Sequence, residues 1–476
     1  MKRIGRKVLI NYIYSAFYHV FSIAIPLALT PYLSRVLGAV GVGKYAYEYS
    51  VSSYFALFVM LGVKNYGSKI IAYNRDDKRQ MNETFWDIYS MQLCMLLLSS
   101  LFYFLYVINF AHTKEIAIPM YLIIFAGGID ITWFFWGLED FKTTVIRDVV
   151  IKCITTLLVF ICVKAATDTW KYALIVSGGM ALSQLILWIK FFNGYKFIKP
   201  QYKAVVKHIK PNLMMFIPIA AVNVYKTMDK VMLEILSSSE EVGYYYSSEK
   251  IINVPLALVT SLNAVMLPRM SYLQGKKVDT SDIVLKSMIF SVGITTLISV
   301  GIISSAKQFV PLFYGPGYDK CVVLFYILLP TCCIIAFTNV ICSQYLIPND
   351  RTDIYAGARV AGAMINLLAN AFFIPILQSY GAALGTLLTE FAVCCVQLVF
   401  IKKRLPVLKM MELYFFFFVS GVIALGIVSA FKILENNLWA SMVIKSLLGL
   451  IIYSTIVIIW GSIYKRRMSL TYEKKD

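Results

Sequence analysis

The chain has 476 residues, of which 59% are hydrophobic and 15% are charged, and its mean hydropathy is +0.71. About a quarter of the residues of soluble globular domains are charged, so this composition excludes that class and predicts an all-α polytopic membrane protein. The net charge is +19. Because the basic residues fall in alternate loops between apolar runs, we interpret them as a membrane-topology signal and exclude nucleic acid as a partner.

Apolar runs long enough to cross about 30 Å of hydrocarbon recur from one end of the chain to the other. We predict about fourteen transmembrane helices, at residues 10–34, 42–63, 86–107, 117–137, 145–163, 172–192, 210–236, 243–268, 284–305, 320–347, 354–376, 381–401, 412–432 and 438–463. The connections on the side of the two termini are strongly basic, whereas those on the opposite side hold few basic residues. This asymmetry predicts a multi-pass protein with both termini in the cytoplasm.

The sequence contains no pattern typical of catalysis or of a bound cofactor. It has no GxxxxGK[ST] phosphate loop, and its predicted outer connections are too short to hold the catalytic residues of a glycosyltransferase, ligase or polymerase. The nine cysteines lie almost entirely within apolar runs and form no CxxC or Cys/His spacing suited to a metal. We therefore predict a protein that is not an enzyme and that holds no metal or cofactor.

The two halves of the chain repeat one pattern of residues. Both contain an Ile-Pro pair, at residues 25–26 and 217–218, and both resume after the following turn with Val-Gly, an aromatic cluster and a glutamate. Since each unit has six predicted spans, the copies share one orientation, which predicts two lobes related by a pseudo-two-fold axis along the membrane normal. We expect an N-terminal lobe at 1–200, a C-terminal lobe at 201–405, and two extra helices with a basic cytoplasmic tail at 406–476.

Charged residues lie inside several apolar runs, where a charge is costly and usually faces a polar cavity or a partner. Lys226 and Lys230 in span 7 are four residues apart and share one helix face, and Lys44 and Glu48 have the same spacing in span 2. The basic residues predicted to bind an anionic headgroup such as a diphosphate are Arg35, Lys44, Lys226, Lys230, Lys250 and Arg269. The acidic residues predicted to couple an ion or to pair these charges are Glu48, Asp130, Asp229, Glu234 and Glu249.

Structural explanations stay open for these residues. The charges are alternatively ion pairs that lock one helix to another, or outer residues whose long side chains extend to the lipid headgroups. Asp130 is either a buried carboxylate that exchanges a proton or binds sodium, or a hydrogen-bonded packing residue beside two glycines. Arg269 is better explained as an anchor at the cytoplasmic end of span 8. Further candidates in the second half are Arg359, Asn366 and Glu390.

Five segments, in their order and spacing, are similar to those of a known family: TPYLSRVLGAVGVGKYAYEYS, DITWFFWGLEDF, NVYKTMDKVML, SSEKIINVPLALVTSLNAVMLPRMS and FYGPGYDKCV. Over essentially its whole length the chain resembles the Wzx-type oligosaccharide flippases of the multidrug/oligosaccharidyl-lipid/polysaccharide exporter superfamily. The resemblance implies a two-lobed, multi-pass transporter of the bacterial cytoplasmic (inner) membrane that works by alternating access.

The same resemblance implies a substrate and partners. An undecaprenyl-diphosphate-linked oligosaccharide repeat unit would pass from the inner to the outer leaflet for assembly of O-antigen, capsule or exopolysaccharide. Coupling to an H+ or Na+ gradient is implied, and the implied partners are membrane lipids, a polysaccharide polymerase and a chain-length regulator. The positions that match the cavity-lining basic residues of the family are Arg35, Lys44, Lys226, Lys230 and Lys250.

Other functions are compatible with the sequence. An exporter of teichoic-type or peptidoglycan precursors would show a closely similar pattern. A drug or cation antiporter of the same superfamily would favour an acidic cavity, whereas the buried charges here include more Lys and Arg than Asp and Glu. A polymerase or ligase of lipid-linked glycans needs larger outer loops, and a scaffold without transport activity needs no charges buried in both lobes.

Overall fold

The computed structural model describes the backbone of residues 2–431 and 437–472, with side chains described for 21–431, except 218, 221, 222 and 224–226, and for 437–462. Regular structure in these ranges is helical, with one 3₁₀-helix (Ala166–Asp168), one π-helical turn (Cys342–Leu346) and no strand. The α-helices of this part are α1 (Lys2–Met60), α2 (Val63–Asn74), α3 (Lys78–Asn109), α4 (Lys114–Gly128), α5 (Thr132–Gly137), α6 (Phe141–Cys162), α7 (Thr169–Phe192), α8 (Tyr202–Leu236), α9 (Ser239–Gly275), α10 (Ser281–Ser304), α11 (Ala306–Tyr314), α12 (Lys320–Ile341), α13 (Thr352–Leu377), α14 (Ser379–Ile401), α15 (Val407–Ala430) and α16 (Leu438–Tyr472).

Eleven helical segments of the described chain are long and apolar enough to cross a bilayer. The first, Phe21–Asn74, contains two predicted spans, because α1 continues through both with a break between them. The helices α6 and α8 coincide with two further predicted spans, but they carry several charged residues and are not among the eleven. The helices therefore accommodate the fourteen predicted spans, and the predicted all-α polytopic class is confirmed.

The break in α1 lies at Gly38, which has a φ angle of 65° and a ψ angle of 177°. This backbone conformation is essentially restricted to glycine, because a Cβ atom would clash in it. Apolar side chains are buried on both sides of the break, with Leu33 and Leu37 before it and Val42 and Ala46 after it. Gly38 thus turns the chain directly from the first predicted span into the second.

A second break separates α4 from α5 inside a single predicted span. Backbone groups that such a break frees within a membrane need other partners. The fully buried Gln92 of α3 supplies them, because its Nε2 atom donates to the carbonyl oxygens of Gly127 (2.7 Å) and Asp130 (3.0 Å). Its Oε1 atom accepts from Nε1 of Trp133 (3.2 Å). One glutamine therefore holds the interrupted span together.

The chain divides into two compact units, Met1–Tyr246 and Ser247–Asp476. Within the first unit, α8 packs against α1, α2 and α3, and an aromatic core surrounds Phe85, Trp133 and Phe191. The core of the second unit is built from α9, α10 and α12–α16. The expected lobe boundaries after residues 200 and 405 do not coincide with this division, and they remain a prediction.

The last two helices pack on α10 of the second unit through small residues. Tyr453 of α16 donates its hydroxyl hydrogen to the carbonyl oxygen of Gly293 (3.2 Å), and Oγ of Ser446 donates to Oγ of Ser305 (2.8 Å). A Cβ atom added to Gly449 would lie 2.4 Å from Oγ of Ser304, so the two helices approach closely there. The helix pair that follows the predicted repeat is therefore an integral part of the second unit.

Candidate functional site

The Val-Gly positions of the two repeats meet in the structure. Gly43 lies on α1 and Gly243 lies near the start of α9, within the same compact unit. A Cβ atom added to Gly43 would lie 1.6 Å from the carbonyl oxygen of Ser239, and one added to Gly243 would lie 2.0 Å from that of Ala39. A small residue, Ala39 or Ser239, lies four positions before each glycine, and this spacing lets membrane helices approach closely. We call this contact the glycine crossing.

Glu48, just beyond the glycine crossing on α1, is fully buried and is held by hydroxyl groups. Oγ1 of Thr113 donates to its Oε1 atom (2.8 Å), and the hydroxyl of Tyr106 donates to its Oε2 atom (3.2 Å). The carboxylate of Glu234, at the end of α8, is close enough to repel that of Glu48, and it accepts a hydrogen bond from Oγ of Ser239 (2.6 Å). The structure thus brings two of the predicted acidic residues together.

Asp229 and Lys230 of α8 are buried, with 4% and 5% of their surfaces exposed. The hydroxyl of Tyr245 donates to Oδ2 of Asp229 (2.7 Å), and the Lys230 ammonium acts electrostatically on Tyr49 of α1. The side chain of Lys226 lies outside the described residues. The charged end of α8 is therefore enclosed by α1 and by the start of α9, in the same region as Glu48.

The remaining predicted basic residues belong to both compact units. Arg35 is exposed and donates from Nη1 to the backbone carbonyl oxygen one turn earlier (2.9 Å), and Lys44 is partly exposed. Glu249 and Lys250 interact electrostatically and belong to the second compact unit, as does the exposed Arg269. The proposed contacts of these residues with a headgroup remain predictions.

Asp130 lies at the break between α4 and α5 rather than in the middle of a continuous helix. Its Oδ1 atom accepts a hydrogen bond from the backbone amide of Thr132 (2.7 Å), which closes an Asx-type turn. The same residue receives Gln92 at its carbonyl oxygen. These contacts fit the packing explanation of Asp130, and its role in ion coupling remains a prediction.

A buried ion pair joins α13 to α14 in the second unit. Nη1 of Arg359 lies 3.3 Å from Oε1 of Glu390, and the two side chains are 6% and 4% exposed. Nη2 of Arg359 also donates to Oδ1 of Asn339 on α12 (3.4 Å), and Nδ2 of Asn370 donates to Oδ1 of Asn366 (3.2 Å). The sequence pointed to Arg359 and Glu390 as separate candidates, whereas the structure makes them partners.

The sequence analysis missed a charged cluster on α6. Arg147, Asp148 and Lys152 all fall within the predicted span 145–163. They make α6 more polar than is usual for a membrane span. The signal that could have found them is their density, because three charges within six residues of a predicted span are rare.

Two titratable groups lie outside the spans, next to the bundle of the first unit. Burial lowers the pKa of His208 below its usual 6.5, and its Nδ1 atom lies 2.7 Å from the hydroxyl of Tyr66. Burial works to raise the pKa of Asp140, but hydrogen bonds from the Lys190 ammonium (2.6 Å) and the Thr143 hydroxyl (2.8 Å) outweigh it and lower that pKa. The first contact joins α8 to α2, and the second joins α7 to the residue that precedes α6.

Comparisons with known proteins agree with this architecture. The sequence profile of a family described as "Polysaccharide biosynthesis protein" matches residues 8–274. A protein of Escherichia coli (strain K12) named "Putative O-antigen transporter" is 23% identical over 400 residues, which cover 83% of this chain and 96% of that protein. A protein of Shigella dysenteriae with the same name is 24% identical over 369 residues, which cover 75% and 90%.

Solved structures with the same fold are membrane transporters. The lipid II flippase MurJ in an inward closed conformation has a TM-score of 0.75 at 15% identity, and the match covers 97% of this chain and 99% of that one. An inward-facing MATE family multidrug resistance transporter of the MOP superfamily has a TM-score of 0.60 at 12% identity, covering 83% and 96%. The similar proteins are transporters and flippases by name, not enzymes, in agreement with the prediction. The chain has the fold of the MOP-superfamily transporters, and it belongs to the polysaccharide biosynthesis protein family.

Proposed function

We propose that the chain is a flippase that moves undecaprenyl-diphosphate-linked oligosaccharide repeat units from the inner to the outer leaflet of the bacterial cytoplasmic membrane. The product would serve the assembly of O-antigen, capsule or exopolysaccharide. The observation that supports this most strongly is the family match together with an alignment over 96% of a protein named as an O-antigen transporter. A fold shared with a lipid II flippase suits a substrate that keeps its lipid tail in the bilayer.

In this proposal the diphosphate enters from the cytoplasmic side and pairs with basic residues of α8, Lys226 and Lys230. A buried lysine needs a counter-charge when the substrate is absent. We assign that role to the buried Asp229, which accepts a hydrogen bond from the hydroxyl of Tyr245. Separation of the two helices at the glycine crossing would then open the path to the outer side.

The ion that resets the cycle, a proton or sodium, binds at a carboxylate of the first unit. Glu48 is the best placed of the predicted residues, because it is fully buried, accepts two hydroxyl hydrogen bonds and lies near Glu234. Two carboxylates that share a site of low polarity favour the uptake of a cation. A polysaccharide polymerase and a chain-length regulator would take over the repeat unit at the outer surface.

The decisive experiment follows lipid-linked glycan in cells that lack the protein. We expect undecaprenyl-linked repeat units to accumulate in the inner leaflet and surface polymer to be lost, and we expect the wild-type gene, but not Lys230→Ala, to restore export. Leaflet distribution is read by digestion of the outer glycan in spheroplasts with an impermeant glycosidase. Protein level and insertion of the variant are checked by size-exclusion chromatography.

Other outcomes point to other functions. Unpolymerised repeat units at the outer surface would show that the missing activity is a polymerase. Unchanged glycan together with altered drug sensitivity would replace the proposal by a drug or cation antiporter. Rescue of cells that lack their peptidoglycan-precursor flippase would identify that precursor as the substrate.

A further inference from the structure

The connection between α7 and α8, together with the start of α8, is rich in lysine and lacks acidic residues. Residues 190–210 contain six lysines and no aspartate or glutamate: Lys190, Lys196, Lys199, Lys203, Lys207 and Lys210. Lys190 forms an ion pair with Asp140, whereas the other five lysines are exposed and form no ion pair with any residue of the described chain. We call residues 193–210 the basic connector.

Large apolar side chains are exposed among these lysines. Phe197 and Tyr202 are 64% and 82% exposed, and Val206 and Ile209 are exposed as well. Exposed aromatic rings beside lysines are typical of segments that lie at the boundary between lipid headgroups and water. The opposite face of α8 is turned to the first unit, where His208 contacts α2 through a hydrogen bond of 2.7 Å. The basic connector therefore has the composition of a segment that lies on a membrane surface.

The basic connector is fixed to α3 through its backbone. The carbonyl oxygen of Lys196 accepts hydrogen bonds from Nδ2 of Asn82 (2.8 Å) and from Nε1 of Trp86 (3.0 Å). Further along, the backbone amide of Gln201 donates to Oδ1 of Asp87 (3.1 Å). The lysine ammonium groups take no part in these contacts, so the charged side chains extend from a backbone that α3 holds in place.

The position of the basic connector along the chain places it beside a membrane. It follows α7, which is long and apolar enough to span a bilayer and ends at Phe192. The distribution of charge among the loops predicts that this end of α7 lies on the cytoplasmic side. The cytoplasmic surface of a membrane is negatively charged because of its anionic lipids, and it attracts clusters of about four to eight basic residues next to a membrane span. The basic connector fits this description.

We propose that the basic connector is a binding site for anionic phospholipids of the cytoplasmic leaflet, such as phosphatidylglycerol. The ammonium groups of Lys199, Lys203 and Lys207 bind the headgroup phosphates, and Phe197 and Tyr202 insert between the headgroups. The bound lipids hold the start of α8 at the membrane surface. This inference goes beyond the proposed transport function, because the ligand is a structural lipid of the leaflet and not the lipid that is transported.

The test is the affinity of the purified protein for phosphatidylglycerol, measured by native mass spectrometry and compared with that for phosphatidylcholine of the same acyl chains. We expect the wild-type protein to prefer phosphatidylglycerol. A triple variant with Lys199→Gln, Lys203→Gln and Lys207→Gln should bind phosphatidylglycerol at least about tenfold more weakly, because each of these lysines adds to the attraction. Equal affinity of the wild-type protein for the two lipids would overturn the proposal.

The matched control removes the same charge from another part of the chain. A triple variant with Lys276→Gln, Lys277→Gln and Lys286→Gln loses three exposed lysines of the second unit. Their segment also contains Asp279 and Asp282, so it is not a continuous positive surface. Phosphatidylglycerol binding should remain close to that of the wild-type protein. An equal loss in both triple variants would mean that the lipid responds only to net charge, and the basic connector would not be a site.

A second measurement uses the wild-type protein and does not depend on how the variants fold. Amine-reactive labelling, read by mass spectrometry, should be lower at Lys199 and Lys203 in nanodiscs of phosphatidylglycerol than in nanodiscs of phosphatidylcholine, and it should differ far less at Lys276. An equal change at all three lysines would overturn the proposal. Protection of Lys199 and Lys203 by undecaprenyl diphosphate in phosphatidylcholine nanodiscs, without protection by phosphatidylglycerol, would assign the surface to the transported lipid and also overturn it.

Discussion

Gly43 and Gly243 occupy equivalent places in the two repeats, and each packs against the backbone that precedes the other. The Cβ position of Gly43 lies 1.6 Å from the Ser239 carbonyl oxygen, and that of Gly243 lies 2.0 Å from the Ala39 carbonyl oxygen. Ala39 and Ser239 each stand four residues before a crossing glycine. The relationship is reciprocal, as expected where two copies of one motif meet across a two-fold axis.

Replacing either glycine by alanine should therefore destabilise the protein. The added methyl group meets backbone rather than a flexible side chain, so the helices must separate, and we expect a loss of about 1–3 kcal/mol. Gly426→Ala is the control, because nothing lies within 4 Å of a Cβ atom at that membrane glycine. Thermal unfolding in detergent measures the difference, and equal stability of Gly43→Ala and Gly426→Ala would show that the crossing is loosely packed.

Glu48→Gln tests ion coupling. Glutamine has the same shape as the carboxylate: its oxygen can accept from Thr113, and its amide nitrogen can donate to the hydroxyl oxygen of Tyr106, so we expect a folded, inserted protein. An amide cannot exchange a proton or bind sodium as a carboxylate does, so glycan export should fall at least about tenfold. The control is Glu115→Gln, which changes an exposed residue in the first turn of α4. Wild-type export by Glu48→Gln would remove this residue from the cycle.

The Arg359–Glu390 pair should respond strongly to the loss of one partner. Both side chains are buried, so Glu390→Ala leaves an uncompensated arginine and should cost about 3–5 kcal/mol. The exposed Arg351–Asp353 pair, with side chains 38% and 67% exposed, should contribute at most about 1 kcal/mol. Denaturant titration of Glu390→Ala and Asp353→Ala makes the comparison. Similar small effects would mean that water reaches the buried pair.

His208 should make stability dependent on pH. Its pKa is lowered in the folded protein, so the unfolded chain takes up the proton first as the pH falls. Its contribution is therefore complete above pH of about 6.5 and is lost as the pH falls through the lower folded pKa. The drop in unfolding temperature between pH 8 and pH 5.5 should shrink in His208→Gln but not in His112→Gln, an exposed control. An identical drop in both variants would assign the pH effect to other groups.

The candidate site was only partly predictable. The sequence pointed to Glu48, Asp229 and Glu234 because charges are conspicuous in apolar runs, and the structure brings these residues to one region. Asp130 was interpreted as a lone mid-helix carboxylate because the two glycines before it were attributed to helix packing, whereas α4 ends at the second of them and Gln92 bridges the gap. Lys152 was overlooked although three charges within six residues of one span are a local signal, and only its hydrogen bond to Ser22, 130 residues away, required the structure.

The class of protein and the approximate number of its membrane helices could be predicted from the sequence alone. These follow from local properties, since a segment in lipid must satisfy its own backbone and be apolar over about 20 residues. The structure was needed to show which distant residues meet, such as Arg359 with Glu390 across 31 residues, or Gly43 with the start of α9. Such pairings depend on how helices rotate and cross, and hydropathy carries no information about either.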